Sequence, residues 1–235
     1  MAVPELQPAR RANARRVPYW NQTTDFTCGP SALMMVMNAF DPAMTMSRPF
    51  EYELWREANS VIMRGKGPAG CSPYGLAMAA HRRGFEIEIH VNHRHAFLAD
   101  RCRSAKRREV VEVVQKMDLA QLEASGIGVV HDWPGVAGIE QRYGEGWLPI
   151  VLVSTHLIHG DHTPHWVVVT GFDPDRVYVN DPWVSRNKGQ SEADQTDRPV
   201  GRDDFNRMAR YGKKKERAVL FLRRAAFPAA AQSAR

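Results

Sequence analysis

Gln22-Thr23-Thr24-Asp25-Phe26-Thr27-Cys28-Gly29-Pro30-Ser31 is the stretch whose reading decides the fold. A polar loop runs there into an apolar segment, Cys28 to Phe40, in which Ala32, Leu33, Val36, Ala39 and Phe40 recur at three- and four-residue spacing. That period predicts a helix with one buried face, stopped by Asp41-Pro42. Cys28 then stands at the helix entrance, where backbone amides lack intrahelical partners and carry partial positive charge. A thiol reacts as its thiolate, and such a setting favours the thiolate. Gly29 leaves room beside the sulfur for a substrate carbonyl, and Pro30 suits a first-turn position whose amide is unpaired anyway. The plain alternative is a buried structural cysteine. The residues around Cys28 argue for chemistry instead.

Gln22 lies in the loop six positions earlier. Its side-chain amide can fold back beside the backbone amide of Cys28, and two such donors would make an oxyanion hole. The remaining elements come from a hairpin. His165-Trp-Val-Val-Val-Thr-Gly171 and Arg176-Val-Tyr-Val-Asn-Asp181 flank Asp173-Pro174-Asp175, a strong turn signal, and positions 165 and 181 are equidistant from Asp173. Antiparallel pairing returns the two side chains to one end of the sheet, opposed or diagonal, within hydrogen-bonding reach. Asp181 would then hold the tautomer of His165 and stabilise its charged form.

Around these pieces the chain reads as helical first and strand-rich second. Helices are expected at 48–63, at 72–83 after Ser72-Pro73, and at 97–116. The alternation of Phe85, Ile87, Ile89 and Val91 with polar residues predicts a strand. Valine-rich strands follow at 150–155, 165–171, 177–180 and 218–222. This order suggests an α+β protein, its nucleophile helix packed on a C-terminal antiparallel sheet. Residues 1–16 read as a basic arm and 225–235 as a frayed tail, with a single domain over 17–224 between them.

The composition sets outer bounds. With 235 residues and 43% hydrophobic content the chain can bury a core without disulfide or metal support. The net charge of +6 is concentrated in Arg10 to Arg16, Arg101 to Arg108 and Lys213 to Lys215. None of these runs is interleaved with the aromatics that stack on bases, so each reads as a solvated surface and nucleic acid is not favoured as a partner. No secretory signal and no bilayer-length apolar run is visible, which points to a soluble, cytoplasmic protein without a membrane partner. Three cysteines, an odd number, fit a reducing compartment in which a thiol stays available.

Taken together, Gln22-Thr-Thr-Asp-Phe-Thr-Cys28-Gly-Pro, His165-Trp-Val-Val-Val-Thr-Gly-Phe and Val177-Tyr-Val-Asn-Asp181-Pro-Trp resemble motifs of the bacteriocin-processing cysteine peptidases. Those enzymes remove double-glycine leaders and belong to the papain-like superfamily. Leu148-Pro-Ile-Val-Leu-Val153 is also similar, and the resemblance spans about 20–185. It implies a papain-like fold, with Cys28 as nucleophile, His165 as general base and acid, Asp181 as orienting residue and Gln22 as oxyanion donor. The implied reaction is acyl transfer from a peptide or amide bond through a thioester, with no metal or organic cofactor. The chain shows no transmembrane or ATPase part, so the likeness is to stand-alone relatives, and the peptide substrate is not named by the sequence.

Rival readings remain open at this point. His156, His159, His162 and His165 recur at every third position with Asp161 among them, a set that could bind zinc. The segment looks like a loop, however, and lacks the His-Glu-x-x-His helix of metalloproteases. Trp166 and Trp183 flank the proposed base and acid, with core packing the expected role for at least one. Cys71 and Cys102 read as free or buried thiols. The functional options are a peptidase or amidohydrolase, a transpeptidase or amide synthase using the same acyl enzyme, a non-catalytic peptide-binding module with a retained groove, and a metal-dependent hydrolase.

Overall fold

The computed structural model describes residues 16–59 and 70–224. The expected arm before Arg16, the tail from Ala225 and the end of the second helix, 60–63, lie outside the described residues.

The nucleophile segment forms helix α1 (Cys28–Phe40), with the bounds its sequence predicts. It is buried on every side over Cys28 to Met37 rather than on one face, the pattern of a helix at the centre of a fold. The helices that cover it are α2 (Arg48–Ala58) and α3 (Pro73–His81). Both start as their sequences direct, with Ser47 and Ser72 accepting from the third helical amide and a proline in the first turn.

Strand β1 (Phe85–Val91) follows at its expected place. The helix expected at 97–116 forms later, as α4 (Ala105–Ala124). Leu98 adopts φ 60 and donates its amide to Glu216, more than a hundred residues away, which holds 97–104 out of the helix apart from a 3-10 turn at Ala99–Arg101. Ser104, whose side chain accepts from the Arg107 amide, is where the helix starts. The chain continues through β2 (Val129–Val130), α5 (Gly135–Gly144), β3 (Leu148–Ser154), α6 (His156–His159), β4 (Pro164–Phe172), β5 (Arg176–Asn180), β6 (Arg198–Gly201), α7 (Arg202–Met208) and β7 (Ala218–Arg224).

The strands form a seven-stranded sheet in the order β2-β1-β7-β3-β4-β5-β6. The sheet is antiparallel except at one end, where β1 and β2 run parallel. It is also not confined to the C-terminal half, because β1 pairs along its whole length with β7. One face, through Ile89, Ile150, Leu152, Trp166, Val168, Leu220 and Leu222, packs with α1 and α3. The other, through Val151, Val153, Val167, Val169, Val219 and Phe221, is covered by Ile139 of α5 and by Phe205 and Met208 of α7. Burial on both faces explains why β3, β4 and β7 read as continuous apolar runs rather than as alternation.

Candidate active site

The entrance of α1 is fixed by a buried carboxylate that the sequence did not advertise. Glu51 of α2 is fully buried and accepts hydrogen bonds from the Thr23 amide (2.9 Å), Trp20 Nε1 (3.1 Å) and Ser31 Oγ (3.3 Å). It therefore ties the loop before Cys28 to the helix after it. Thr27, at the N-cap, makes no side-chain cap bond; its hydroxyl pairs with that of Thr24 at 2.9 Å. A Cβ on Gly29 would stand 3.1 Å from Leu76 and 3.2 Å from Trp166. Glycine is thus favoured here by tight core packing, a reason different from the room for substrate read in the sequence.

The hairpin carrying His165 and Asp181 differs from the expected one in register. Phe172 pairs with Val177, and the Asp173 amide donates to Arg176 O at 3.1 Å, so the turn centres between Pro174 and Asp175 rather than on Asp173. On that register alone Asp181 would fall opposite Val168 and on the wrong face for His165, since a one-residue slip flips every side chain. A bulge at Thr170 takes up one residue: beyond it Val169 pairs with Val179 and Val168 with Asn180. One step further Asp181 comes opposite Val167, diagonal to His165 on the same face. The Tyr143 hydroxyl donates to the bulged carbonyl of Thr170 at 2.7 Å.

Asp181 is fully buried and is a hub of donors. Its Oδ1 accepts from His165 Nε2 (2.6 Å) and from the Trp183 amide (2.9 Å), and its Oδ2 from His159 Nε2 (2.8 Å). The Tyr19 hydroxyl donates to its backbone carbonyl (2.9 Å), and the Gln22 amide to the carbonyl of Pro182 (2.8 Å). Burial opposes the carboxylate charge, yet the His165 and His159 imidazoles outweigh it and hold Asp181 well below the usual carboxylate range. Burial likewise opposes a charged His165, but attraction from Asp181 and then Cys28, with the hydrogen bond to Asp181, pushes this imidazole up from 6.5 to about 10. Since Nε2 is taken by Asp181, Nδ1 is the ring nitrogen left without a carboxylate partner. The structure brings Cys28, His165 and Asp181 together.

Gln22 is buried at the edge of this group. Its Nε2 donates to Thr24 O at 2.6 Å, while Oε1 is buried without a partner. One amide proton is thereby committed to fixing the loop and one is left over.

The histidine run separates into two pairs. His159 and His165 both reach Asp181, with their rings at right angles; His156 and His162 stack on each other at 4.2 Å. Among the described residues no group of three or more His, Cys, Asp or Glu side chains is arranged to hold a metal ion. His159 is the site residue that sequence reasoning missed as a partner of Asp181. The threefold spacing drew attention to it for a different chemistry, and only the short helix α6 brings it under the carboxylate.

Trp166 packs in the core and donates Nε1 to Cys71 O at 3.2 Å. Cys71, Cys102 and Cys28 are all buried, and none of the three is in a disulfide. Burial pushes the Cys71 thiol far above its usual range, with the charges of Cys28 and Asp118 adding to it. Two of the basic runs meet across the fold. Arg101, Arg103, Arg108 and Lys213 line one cavity of about 600 Å³, in which Lys214 pairs with Asp100. Among the described residues no helix is long and apolar enough to cross a membrane.

A family model described as the Peptidase_C39 like family matches residues 17–223. The chain belongs to that family. No curated protein matches it. Solved structures that are similar include a protein from Bacillus anthracis described as a C39-like peptidase, at 13% identity and TM-score 0.51, covering 90% of this chain and 97% of that one. The peptidase domain of Streptococcus ComA, a bifunctional ABC transporter of a quorum-sensing pathway, is similar at 14% identity and TM-score 0.47, covering 88% and 98%. The double-glycine-motif protease of an AMS/PCAT transporter, in complex with its leader peptide, is similar at 15% identity and TM-score 0.44, covering 89% and 93%. At these identities the likeness concerns the fold alone, and family and fold agree on an α+β domain of the C39-like kind.

Proposed function

We propose that this protein is a cysteine peptidase or amidohydrolase that cleaves a peptide or amide bond through a thioester on Cys28. The observation that carries the reading is the buried His165–Asp181 hydrogen bond with Cys28 acting electrostatically on the same imidazole, in a member of the Peptidase_C39 like family. With Asp181 holding Nε2–H, the His165 ring presents Nδ1 to the sulfur, and an imidazolium there stabilises a thiolate as its counter-ion. The thiolate attacks the substrate carbonyl carbon, and the oxygen gains the electron pair of the C=O bond. The Cys28 amide and the remaining Nε2–H of Gln22 are the donors available to that oxyanion. His165 then gives its proton to the leaving amine as the C–N bond breaks, leaving a thioester. Water, deprotonated by the now neutral His165, attacks the thioester and releases the acid and Cys28.

A peptide substrate follows from the family. Three cysteines without a disulfide suit a reducing compartment such as the cytoplasm. The test is to incubate the protein with a peptide library and read new termini by mass spectrometry, with an amine acceptor present in a parallel sample. Wild type should produce cleaved peptides and Cys28→Ala none; a folded Cys28→Ala variant that cleaves at the wild-type rate refutes the proposal. Ligated products with the amine would move the assignment from hydrolase to acyl transferase.

A further inference from the structure

We propose that His159 is a positioning residue: by donating Nε2–H to Asp181 Oδ2 it locks the carboxylate in the orientation that offers Oδ1 to His165. This inference rests on the active-site reading of Cys28, His165 and Asp181.

A carboxylate can turn about its terminal bond, so its direction is set by the donors around it. Oδ1 has two, His165 Nε2 and the Trp183 amide, whereas Oδ2 has His159 Nε2. Asp181 is fully buried. Without His159, Oδ2 would face a dry surrounding without that donor, and the group would turn toward its other donors or draw in water. Either change loosens its hold on His165.

His159 is itself held rigidly. Its amide donates to Thr155 O at 2.6 Å, its carbonyl accepts from Lys188 Nζ at 2.5 Å, and Gly160, at φ 81, ends the short helix just after it. The Thr155 hydroxyl donates to Asp161 O at 2.9 Å and accepts from the Thr163 amide at 3.0 Å, closing the loop that carries the ring. His159 Nδ1 is buried without a partner. A proton on Nδ1 alone would have nothing to donate to, so Nε2 is the ring atom whose hydrogen faces Asp181. Within the histidine run that resembles a metal site in the sequence, two imidazoles six residues apart, His159 and His165, on this account share one carboxylate.

The test needs no substrate. The full chain is alkylated with iodoacetamide across a pH series and the rate at Cys28 is followed by peptide mass spectrometry, with folding checked by circular dichroism. The groups facing the pair, namely Cys28, Asp181, Tyr19 and Lys188, are left intact. His159→Phe fills the space without a donor and should move the onset of alkylation up by roughly one pH unit, slowing the reaction at pH 6 about tenfold. His159→Gln, which can donate to Oδ2, should stay within a factor of about two of wild type. A Phe variant with the wild-type profile, or a Gln variant shifted as far as Phe, overturns the proposal. If His159→Phe does not fold, His159→Ala with and without added imidazole decides it. Restoration of the wild-type onset by imidazole supports the proposal, and no restoration overturns it. Should wild-type Cys28 itself react no faster than free cysteine, the active-site reading is what fails and the inference falls with it; a reactive wild type with insensitive variants removes the inference alone.

Discussion

Replacing Asp181 by asparagine keeps the shape of the side chain while removing its charge and one of its two acceptor oxygens. His165 and His159 each donate Nε2–H to that carboxylate. An asparagine can accept from one of them and must present its NH₂ to the other, whose ring then has to move its proton to Nδ1. If His165 yields, the proton faces Cys28 and the ring can no longer take the thiol proton; if His159 yields, the proton lies in a pocket where Nδ1 has no partner. The charge effect is larger. Burial alone would lower His165, and Asp181 is the first of the attractions that instead raise it from 6.5 to about 10, a preference for imidazolium worth on the order of 5 kcal/mol. In Asp181→Asn the ring should therefore titrate well below the wild-type value of about 10.

Long-range proton–nitrogen NMR of the imidazoles reads this directly: wild type should show one ring that keeps its charge up to about pH 10, and the variant none. Stability follows with a definite sign. The raised folded-state value of His165 makes its contribution complete below pH 6.5 and lost as pH rises through about 10. Asp181, depressed when folded, contributes above its ordinary value of 3.8 and loses that contribution as pH falls through its folded value. Wild type should thus destabilise as pH approaches 10, and Asp181→Asn, already weaker by about 3 kcal/mol at pH 7, should lack that alkaline decline. An imidazole still charged near pH 10 in the asparagine variant would refute the electrostatic reasoning.

Other substitutions test other parts of the structure. Glu51→Ala strands the Thr23 amide, Trp20 Nε1 and Ser31 Oγ, and should lower stability by about 3 kcal/mol in denaturant melts; a loss below about 0.5 kcal/mol would mean that the buried carboxylate does not hold the Cys28 loop. Gly29→Ala should destabilise by about 1 kcal/mol despite alanine's better helix propensity, because its Cβ presses on Leu76 and Trp166; a higher unfolding midpoint would contradict this. Burial, with Asp100 adding, raises Glu216 from 4.5 to about 7 against the pull of the Leu98 amide, Lys214 and Arg101. The folded state then binds this proton more tightly than the unfolded one, so stability declines as pH rises from 4.5 to about 7. Glu216→Gln should accordingly stabilise by on the order of 2 kcal/mol at pH 8 and by almost nothing at pH 4, and a gain equal at both would point to packing instead.

Local signals carried much of this fold. The apolar period from Ala32 to Phe40 gave α1 its bounds, alternation gave β1, and the Ser72-Pro73 start gave α3. The elements that escaped depend on distant partners. Leu98 looks helical but is held by Glu216 in a left-handed conformation, and α4 starts only at the Ser104 cap. The joining of β1 to β7 is a pairing across more than a hundred residues that no local pattern announces. At the site, Cys28, His165 and Asp181 were legible because spacing and turn signals are local. The route by which the last two meet was not, since the shifted turn and the Thr170 bulge offset each other and leave the same end result. His159 was visible only as one of four histidines. What singles it out is a backbone turn under Asp181.

The most direct test of the account compares the three thiols of one protein molecule. Wild-type protein is given a limiting amount of iodoacetamide at pH 6, and modification of Cys28, Cys71 and Cys102 is quantified against free cysteine in the same tube. An imidazolium-paired Cys28 should be alkylated first and at least about tenfold faster than free cysteine, with Cys71 spared by its burial and raised thiol. His165→Ala should abolish that advantage. Labelling of Cys28 no faster than free cysteine, in protein shown to be folded, would contradict the assignment of Cys28 as an activated nucleophile.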